Sequence, residues 1–237
     1  MSVDFEAGEV ILIDKPKHWT SFDVVAKIRN HLKLSKIGHA GTLDPLASGL
    51  LILCTGKRTK DINGIQDADK TYVAEITLGA VTDSYDAECE PHDQKPTDHL
   101  TEADVKAALA QFVGTIQQVP PTFSAIKVDG KRAYKLARKG KAPTLEPRSI
   151  TIHALSLLAM QGPVLIVQVH CQKGTYIRSL AHDLGQHLGV GAYLSGLVRT
   201  AIGDYPLSDA MSLEAFLAKY PKVVRQPKHP ASGNPAS

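Results

Sequence analysis

ITIHALSLLAMQGPVLIVQVHC, Ile150 to Cys171, holds two runs with strand chemistry, Ile150 to Ala159 and Pro163 to Cys171, joined by a turn at Gln161-Gly162. Aliphatic and β-branched residues on both sides of a short glycine-containing loop predict an antiparallel hairpin. Upstream, KTYVAEITLG sets Tyr72, Ala74, Ile76 and Leu78 in alternation with Val73, Glu75 and Thr77, the period of a half-buried strand. Glu9 to Asp14 and the continuous apolar run Leu50 to Cys54 read as buried strands. Three helices with an apolar stripe are predicted. Thr20 to Asp23 is a capping box ahead of Val25, Ile28 and Leu32, and Thr101 to Asp104 is another ahead of Val105, Leu109 and Phe112. Gly174-Thr175 opens the third, with Ile177, Leu180, Leu184 and Leu188 on one side and Gly189 past its end. Strands and helices mixed irregularly, without repeats or long linkers, predict one α+β domain. Its centre is a mixed, largely antiparallel sheet flanked by helices and loops.

At 237 residues the chain can bury one substantial core. Its 43% hydrophobic and 22% charged residues exclude collagen, coiled coil and disorder. The N-terminus, MSVDFEAGEVILID, carries acids where a secretory signal has basic residues, and no stretch has the length of a membrane span. A soluble cytoplasmic protein is expected. Cys54, Cys89 and Cys171 form no CxxC pair, and none of the ten histidines falls in an HExxH arrangement, so no metal is expected. Charge is unevenly spread. Lys127 to Lys141, KVDGKRAYKLARKGK, holds seven basic residues and one acid, a local +6 against +3 for the whole chain. Such concentration suits a polyanion bound at one place, although a solvated helix face would look the same. A strand, a turn at Val128-Asp129-Gly130 and a short helix from Lys131 to Lys139 are expected there. From Tyr220 onward, proline, serine and basic residues without acids predict a flexible tail.

Chemistry centres on HAGTLDPLASGLL, His39 to Leu51. Asp44 precedes Pro45, and an Asp-Pro pair commonly only starts a turn. Its company argues for more: His39 and Thr42 are close by, and glycines at 38, 41 and 49 allow close backbone approach. Arg178 stands in the first turn of its predicted helix, where the macrodipole disfavours a cation by a few tenths of a kcal/mol and an anionic partner would reverse that preference. Glu75 and Asp86 have no spacing that indicates the paired carboxylates of a glycoside hydrolase.

The segment SKIGHAGTLDPLASGLLILCTGKRTK resembles the signature of the TruB family of tRNA pseudouridine synthases. So do, in the same order, IDKPKHWTSFDVV before it and KTYVAEITLG, PPTFSAIKVDGKRAYKLARKG and CQKGTYIRSLAHDLGQHLGVGAYLSGLVRT after it, together covering most of residues 9 to 210. The resemblance implies a pseudouridine synthase fold over residues 1–219, with a basic RNA-binding insertion at about 121–147 and the tail at 220–237. It implies catalytic roles for Asp44, Tyr72 and Arg178. Tyr72 would stack on the uracil, and Arg178 would pair with Asp44. Substrate contacts are implied for His39, which holds the target out of its stack, for Leu197 against the base, and for Lys15, Arg132 and Lys135. The implied substrate is the T-arm stem-loop of elongator tRNAs, whose T-loop uridine becomes pseudouridine. No cofactor, metal, membrane, protein partner or guide RNA is implied, and a monomer is expected.

Two departures stand out. Full-length bacterial relatives usually continue into a C-terminal RNA-binding domain, for which the residues after LVRT are too few, so a second RNA anchor is expected to be missing or reduced. In TDSYDAECE, Cys89 stands where relatives often have glycine. The chemistry is intelligible all the same. Breaking the N-glycosidic bond and rejoining uracil through C5 requires an unstacked base and an ionised carboxylate, which an arginine favours in a dry cleft. A non-catalytic RNA chaperone would need the basic segment but not Asp44.

Overall fold

Alternation in sequence becomes alternation in burial along the central strands. The computed structural model describes residues 3–123, the backbone of 127–128 and 131–132, and residues 145–223. Strand β1 (Val10–Lys15) leads into helix α1 (Ser21–Leu32), then β2 (Ile37–Ala40) and β3 (Ala47–Thr55). After a 3-10 turn and the short helix α2 (Ile62–Asp67) come β4 (Lys70–Leu78), α3 (Glu102–Ala110) and β5 (Gly114–Gln118). A ribbon of β6 (Lys127–Val128) and β7 (Lys131–Arg132) precedes the long hairpin of β8 (Arg148–Gln161) and β9 (Val164–Cys171). Helix α4 (Ile177–His187), β10 (Ala192–Ile202), β11 (Tyr205–Pro206), β12 (Met211–Ser212) and α5 (Leu213–Lys219) follow.

One ten-stranded sheet runs β12-β1-β3-β10-β4-β9-β8-β5, with β2 beside β3 and β11 beside β10. Among the described residues, β1 with β12 and β3 with β10 are parallel, and the remaining pairs of this sheet are antiparallel. The α+β architecture and the mixed, largely antiparallel sheet are therefore as the sequence predicts. β3 is apolar from Leu50 to Cys54, where it is covered on both sides. Leu51 and Leu53 pack with Val24 and Ile28 of α1, while Leu50 and Ile52 pack with Ile202 and with Ile62 and Ile65 of α2. Burying each such side chain contributes roughly 1.5–3 kcal/mol. Helices α3 and α4 bring Val105, Leu109, Leu180 and Leu184 into one core with Ile76, Leu165 and Val167 of β4 and β9.

Both capping boxes form. The Thr20 Oγ1 accepts the Asp23 N–H at 3.0 Å, and the Asp23 carboxylate accepts the Thr20 N–H at 2.9 Å. Thr101 and Asp104 do the same for α3. Helix α4 begins later than Gly174-Thr175. Its first N–H groups have no side-chain cap of their own, and Gln118 at the end of β5 takes that place, accepting from the Tyr176 N–H at 2.8 Å and donating to the Tyr176 carbonyl at 3.1 Å.

Two expectations change. The tail is anchored where it starts: the Tyr220 ring meets Phe5 edge-on at 4.9 Å, His31 Nε2 donates to the Tyr220 carbonyl at 2.7 Å, and the Val223 N–H donates to the His31 carbonyl at 3.0 Å. Residues 224–237 lie outside the described residues. In the basic segment, Lys127 pairs with Arg132 and Val128 with Lys131, so Lys131 and Arg132 belong to a strand rather than to the start of a helix. Asp129-Gly130, between the paired residues, is a sequence favoured in two-residue hairpin loops. The rest of the expected helix, with Lys135 and Lys139, lies outside the described residues. Among the described residues no helix is long and apolar enough to cross a membrane.

Candidate active site

The loop carrying Asp44 joins β2 to β3 and is held from several sides. Arg199 of β10, 1% exposed, donates through Nη2 to the Gly41 carbonyl at 3.0 Å and through Nε to the Leu50 carbonyl at 2.8 Å. Ser21 at the start of α1 accepts the Leu43 N–H at 2.9 Å and donates to the Leu43 carbonyl at 3.2 Å. The His18 N–H donates to the Pro45 carbonyl at 2.7 Å. Gly49 has φ +95, and a Cβ there would collide with the Arg199 backbone. Glycine at this position is what lets β3 run beside β10, where Gly49 pairs with Arg199 and Ala47 with Leu197.

Arg178 occupies the first turn of α4 with its side chain 8% exposed. Its Nε lies 3.0 Å from Asp44 Oδ2, and its Nη1 lies 3.4 Å from Asp86 Oδ2. Nη1 also donates to the Ser84 carbonyl at 3.4 Å and Nη2 to the Phe123 carbonyl at 3.2 Å. The guanidinium is thus shared by two carboxylates, which removes the penalty of a cation at a helix start and offsets its burial. Asp86 is itself held: its Oδ1 accepts the Ser84 hydroxyl at 2.6 Å and the Glu88 N–H at 3.0 Å. Both Asp86 oxygens are therefore engaged, which leaves none to serve as the acid of a glycoside hydrolase. Glu75 accepts instead from the Ser195 hydroxyl at 3.0 Å.

Asp44 is 46% exposed, not shut in a dry cleft. It lines a pocket with Leu46, Ala47, Arg178, Ser195 and Leu197. Leu197 stands between two small neighbours, Ala47 of β3 and Ala74 of β4, which leave its side chain room over the pocket. Tyr72 pairs with Arg199 across the sheet and is 8% exposed, with its phenol under the influence of the Arg199 charge. Burial pushes the Tyr72 phenol above its ordinary pKa, so it is neutral at pH 7. Burial, followed by the nearby Arg199 charge, pushes His39 below the ordinary histidine range. Its Nδ1 is buried without a hydrogen-bond partner.

Lys15, the expected substrate contact at the end of β1, is turned inward. It is fully buried, and its ammonium donates to the Pro16 carbonyl at 3.0 Å and the Trp19 carbonyl at 2.6 Å, shaping the turn beside the Asp44 loop. Burial, opposed by the Asp44 charge, pushes its pKa down to about 8. The side chain of Arg132 and all of Lys135 lie outside the described residues. Asp86, Ser84 and Arg199 were not among the candidates. Arg199 lies inside LVRT and Asp86 inside TDSYD, yet nothing local marks either as the partner of a residue 92 or more positions away. Cys89, three residues past Asp86, is a free, partly buried thiol, and the Asp86 contacts form despite it. Among the described residues no three His, Cys, Asp or Glu side chains converge as a metal would require.

Comparison with known proteins gives this geometry a context. A family model described as "TruB family pseudouridylate synthase (N terminal domain)" matches residues 29–177, and one described as "tRNA pseudouridylate synthase B C-terminal domain" matches residues 178–226. The second begins inside α4 and runs through β10 to α5, so this C-terminal segment is built into the same sheet. The chain is 50% identical over 220 residues to "tRNA pseudouridine synthase B" of Phocaeicola vulgatus, covering 90% of this chain and 94% of the relative. It is 52% identical over 219 residues to the protein of the same name in Chlorobium luteolum, covering 90% and 76%. Among solved structures it is similar to a Cbf5-Nop10-Gar1 complex, with 32% identity and a TM-score of 0.70 over 89% of this chain and 53% of the other. A second is an H/ACA RNP bound to a substrate RNA containing 2'-deoxyuridine, with 29% identity and a TM-score of 0.66 over 89% and 52%. The chain thus spans about half the length of those two. With two models of one family running from residue 29 to residue 226 and relatives half identical along nine-tenths of its length, the chain belongs to the TruB family of pseudouridylate synthases.

Proposed function

We propose that this chain converts the T-loop uridine at position 55 of elongator tRNAs to pseudouridine, flipping the base from its stack and using Asp44 as the essential carboxylate. Family membership supplies the reaction class, pseudouridylation of tRNA. The observation that carries the finer reading is the Asp44–Arg178–Asp86 arrangement, in which one side of a buried arginine is anchored and the other is aimed at a carboxylate that stays accessible. An RNA chaperone has no use for so costly a group of buried charges.

In the reaction the bond from C1′ to N1 breaks, the uracil turns, and C1′ bonds to C5. The C5 proton leaves and N1 takes one up, so the product is an isomer. Asp44 can attack the base, attack the sugar carbon or remove a sugar proton, and Arg178 holds it in place for any of these. The Tyr72 ring lies under the uracil. Its hydroxyl, neutral at pH 7 beside the Arg199 charge, receives or passes the C5 proton. A neutral His39 holds the extruded base without competing for phosphate. Leu197 closes the pocket so that the detached uracil stays. Bound RNA supplies the enclosure that the half-exposed Asp44 lacks in the free protein. Arg132 and Lys135 take T-arm phosphates, and the chain acts in the cytoplasm as a monomer without guide RNA or protein partner.

The test is chemical mapping of an unmodified elongator tRNA after incubation with purified protein alone. Carbodiimide treatment and primer extension should give one new stop, at position 55. A stop elsewhere, or one that requires an added guide RNA, would overturn the assignment.

A further inference from the structure

Tyr85 is out of place by backbone rules. Its φ is 62, a left-handed conformation that L side chains with a Cβ adopt reluctantly, and a tyrosine there is held by its surroundings. It also lies between Ser84 and Asp86, the two neighbours that engage Arg178 Nη1. Its backbone is bonded on both sides, the N–H to the Thr82 carbonyl at 3.2 Å and the carbonyl to the Leu194 N–H at 3.0 Å. Its ring stacks on His182, with centroids 3.9 Å apart and planes inclined by 15°.

His182 is four residues beyond Arg178 on α4, so the two share a helix face one turn apart. The 82–88 loop therefore grips α4 at two levels, through the guanidinium and through the imidazole. Backbone bonds at Leu194 tie the loop to β10, but toward α4 a single grip would leave its angle to the helix unset. Two grips fix the angle between them. Helix α4 itself does not need the stack to stay in the fold, because Leu180, Ala181 and Leu184 already bury its inner side.

We infer that the Tyr85–His182 stack is a positioning device: it locks the Ser84–Asp86 segment to helix α4 and thereby fixes the direction in which Arg178 presents Nε to Asp44. The two rings act through Arg178, while the Tyr85 backbone reaches the pocket lining at Leu194. Burial pushes the His182 pKa down, so at neutral pH the partners are two uncharged rings. The inference rests on Asp44 and Arg178 serving the reaction proposed above. Its test accordingly includes a readout in ligand-free protein.

The decisive variant is Tyr85→Gly, since glycine takes a φ of 62 without strain and removes only the ring. The melting temperature and the KM for tRNA should stay close to wild type, while kcat falls about tenfold as Arg178 loses its aim. Tyr85→Phe and His182→Phe, which keep a stack, should retain kcat within about twofold. In ligand-free protein, the Arg178 Nε–H resonance, assigned by its loss in Arg178→Lys, should exchange with solvent at least about tenfold faster in Tyr85→Gly and at the wild-type rate in Tyr85→Phe. If Tyr85→Gly does not fold, His182→Ala provides the same comparison. Wild-type kcat and exchange in the stack-free variant would overturn the inference, as would a Phe variant as defective as Gly. A wild-type protein that forms no pseudouridine would sink the functional reading instead, and the exchange comparison would still decide the role of the stack.

Discussion

Replacing Asp86 with Asn tests whether Arg178 is held from behind. The side chains of Asp86 and Arg178 are 5% and 8% exposed, and their charged atoms are 3.4 Å apart. At an effective dielectric of about 20 that separation corresponds to a gross attraction of about 5 kcal/mol, from which the desolvation of both groups must be subtracted. The Asn Oδ1 keeps the bonds from the Ser84 hydroxyl and the Glu88 N–H, but its amide nitrogen turns a donor toward the Nη1 donor. Arg178 retains Asp44 and two carbonyls, so the loss falls below that of a fully orphaned buried ion, at about 2–3 kcal/mol. For a domain of this size, that lowers Tm by about 4–12 °C. Misaiming of Arg178 should lower kcat by about a hundredfold, because displacements near 1 Å have that effect. Thermal unfolding followed by circular dichroism and turnover at saturating tRNA measure the two. A variant with Tm within about 1 °C of wild type and kcat within about twofold would refute the reasoning.

Tyr72→Phe should bind tRNA and still stack the base yet lose turnover. A Phe variant as active as wild type would move proton transfer to water or another group. Asp183 is pushed up to about 6 by burial, so its contribution to stability is full below about pH 4 and is lost as pH rises through 6. Asp183→Asn should therefore stabilise the protein at pH 7 by about 1–3 kcal/mol and make no difference near pH 4. Urea denaturation at the two pH values checks this, and an equal gain at both would contradict it. Changing Arg132, Lys135 and Lys139 together to Ala should weaken tRNA binding and reduce the slope of log K against log salt by about 2, with turnover at saturation largely intact. An unaltered slope would make the basic segment a solvated surface.

Local rules carried most of the fold. Thr20 with Asp23 and Thr101 with Asp104 are caps whose partners lie three residues apart, so the sequence displays them whole. The hairpin of β8 and β9 and the alternation of β4 are equally local. The parallel pairing of β3 with β10 was not legible, because Ala47 meets Leu197 across 150 residues and only the Gly49 contact with Arg199 hints at it. The site divides in the same way. Asp44 announced itself through its loop, and Arg178 through its misfit at a helix start. Asp86 and Arg199 stayed silent because their importance lies in distant contacts. The burial of Lys15 was hidden for a related reason: its carbonyl partners, Pro16 and Trp19, curl back over it only once the turn has formed.

On the proposed reading Asp44 performs the isomerisation, and Arg178 and Asp86 hold it in place. Unmodified elongator tRNA carrying tritium at uridine C5 reports this directly, since C5 exchanges its hydrogen for the new bond to C1′. Wild-type protein should release the label from one T-loop uridine, and Asp44→Asn, equal in size but uncharged, should release none while binding tRNA within a few-fold of wild type. Measurable release by the Asn variant, or release of free uracil by the wild type, would contradict the account.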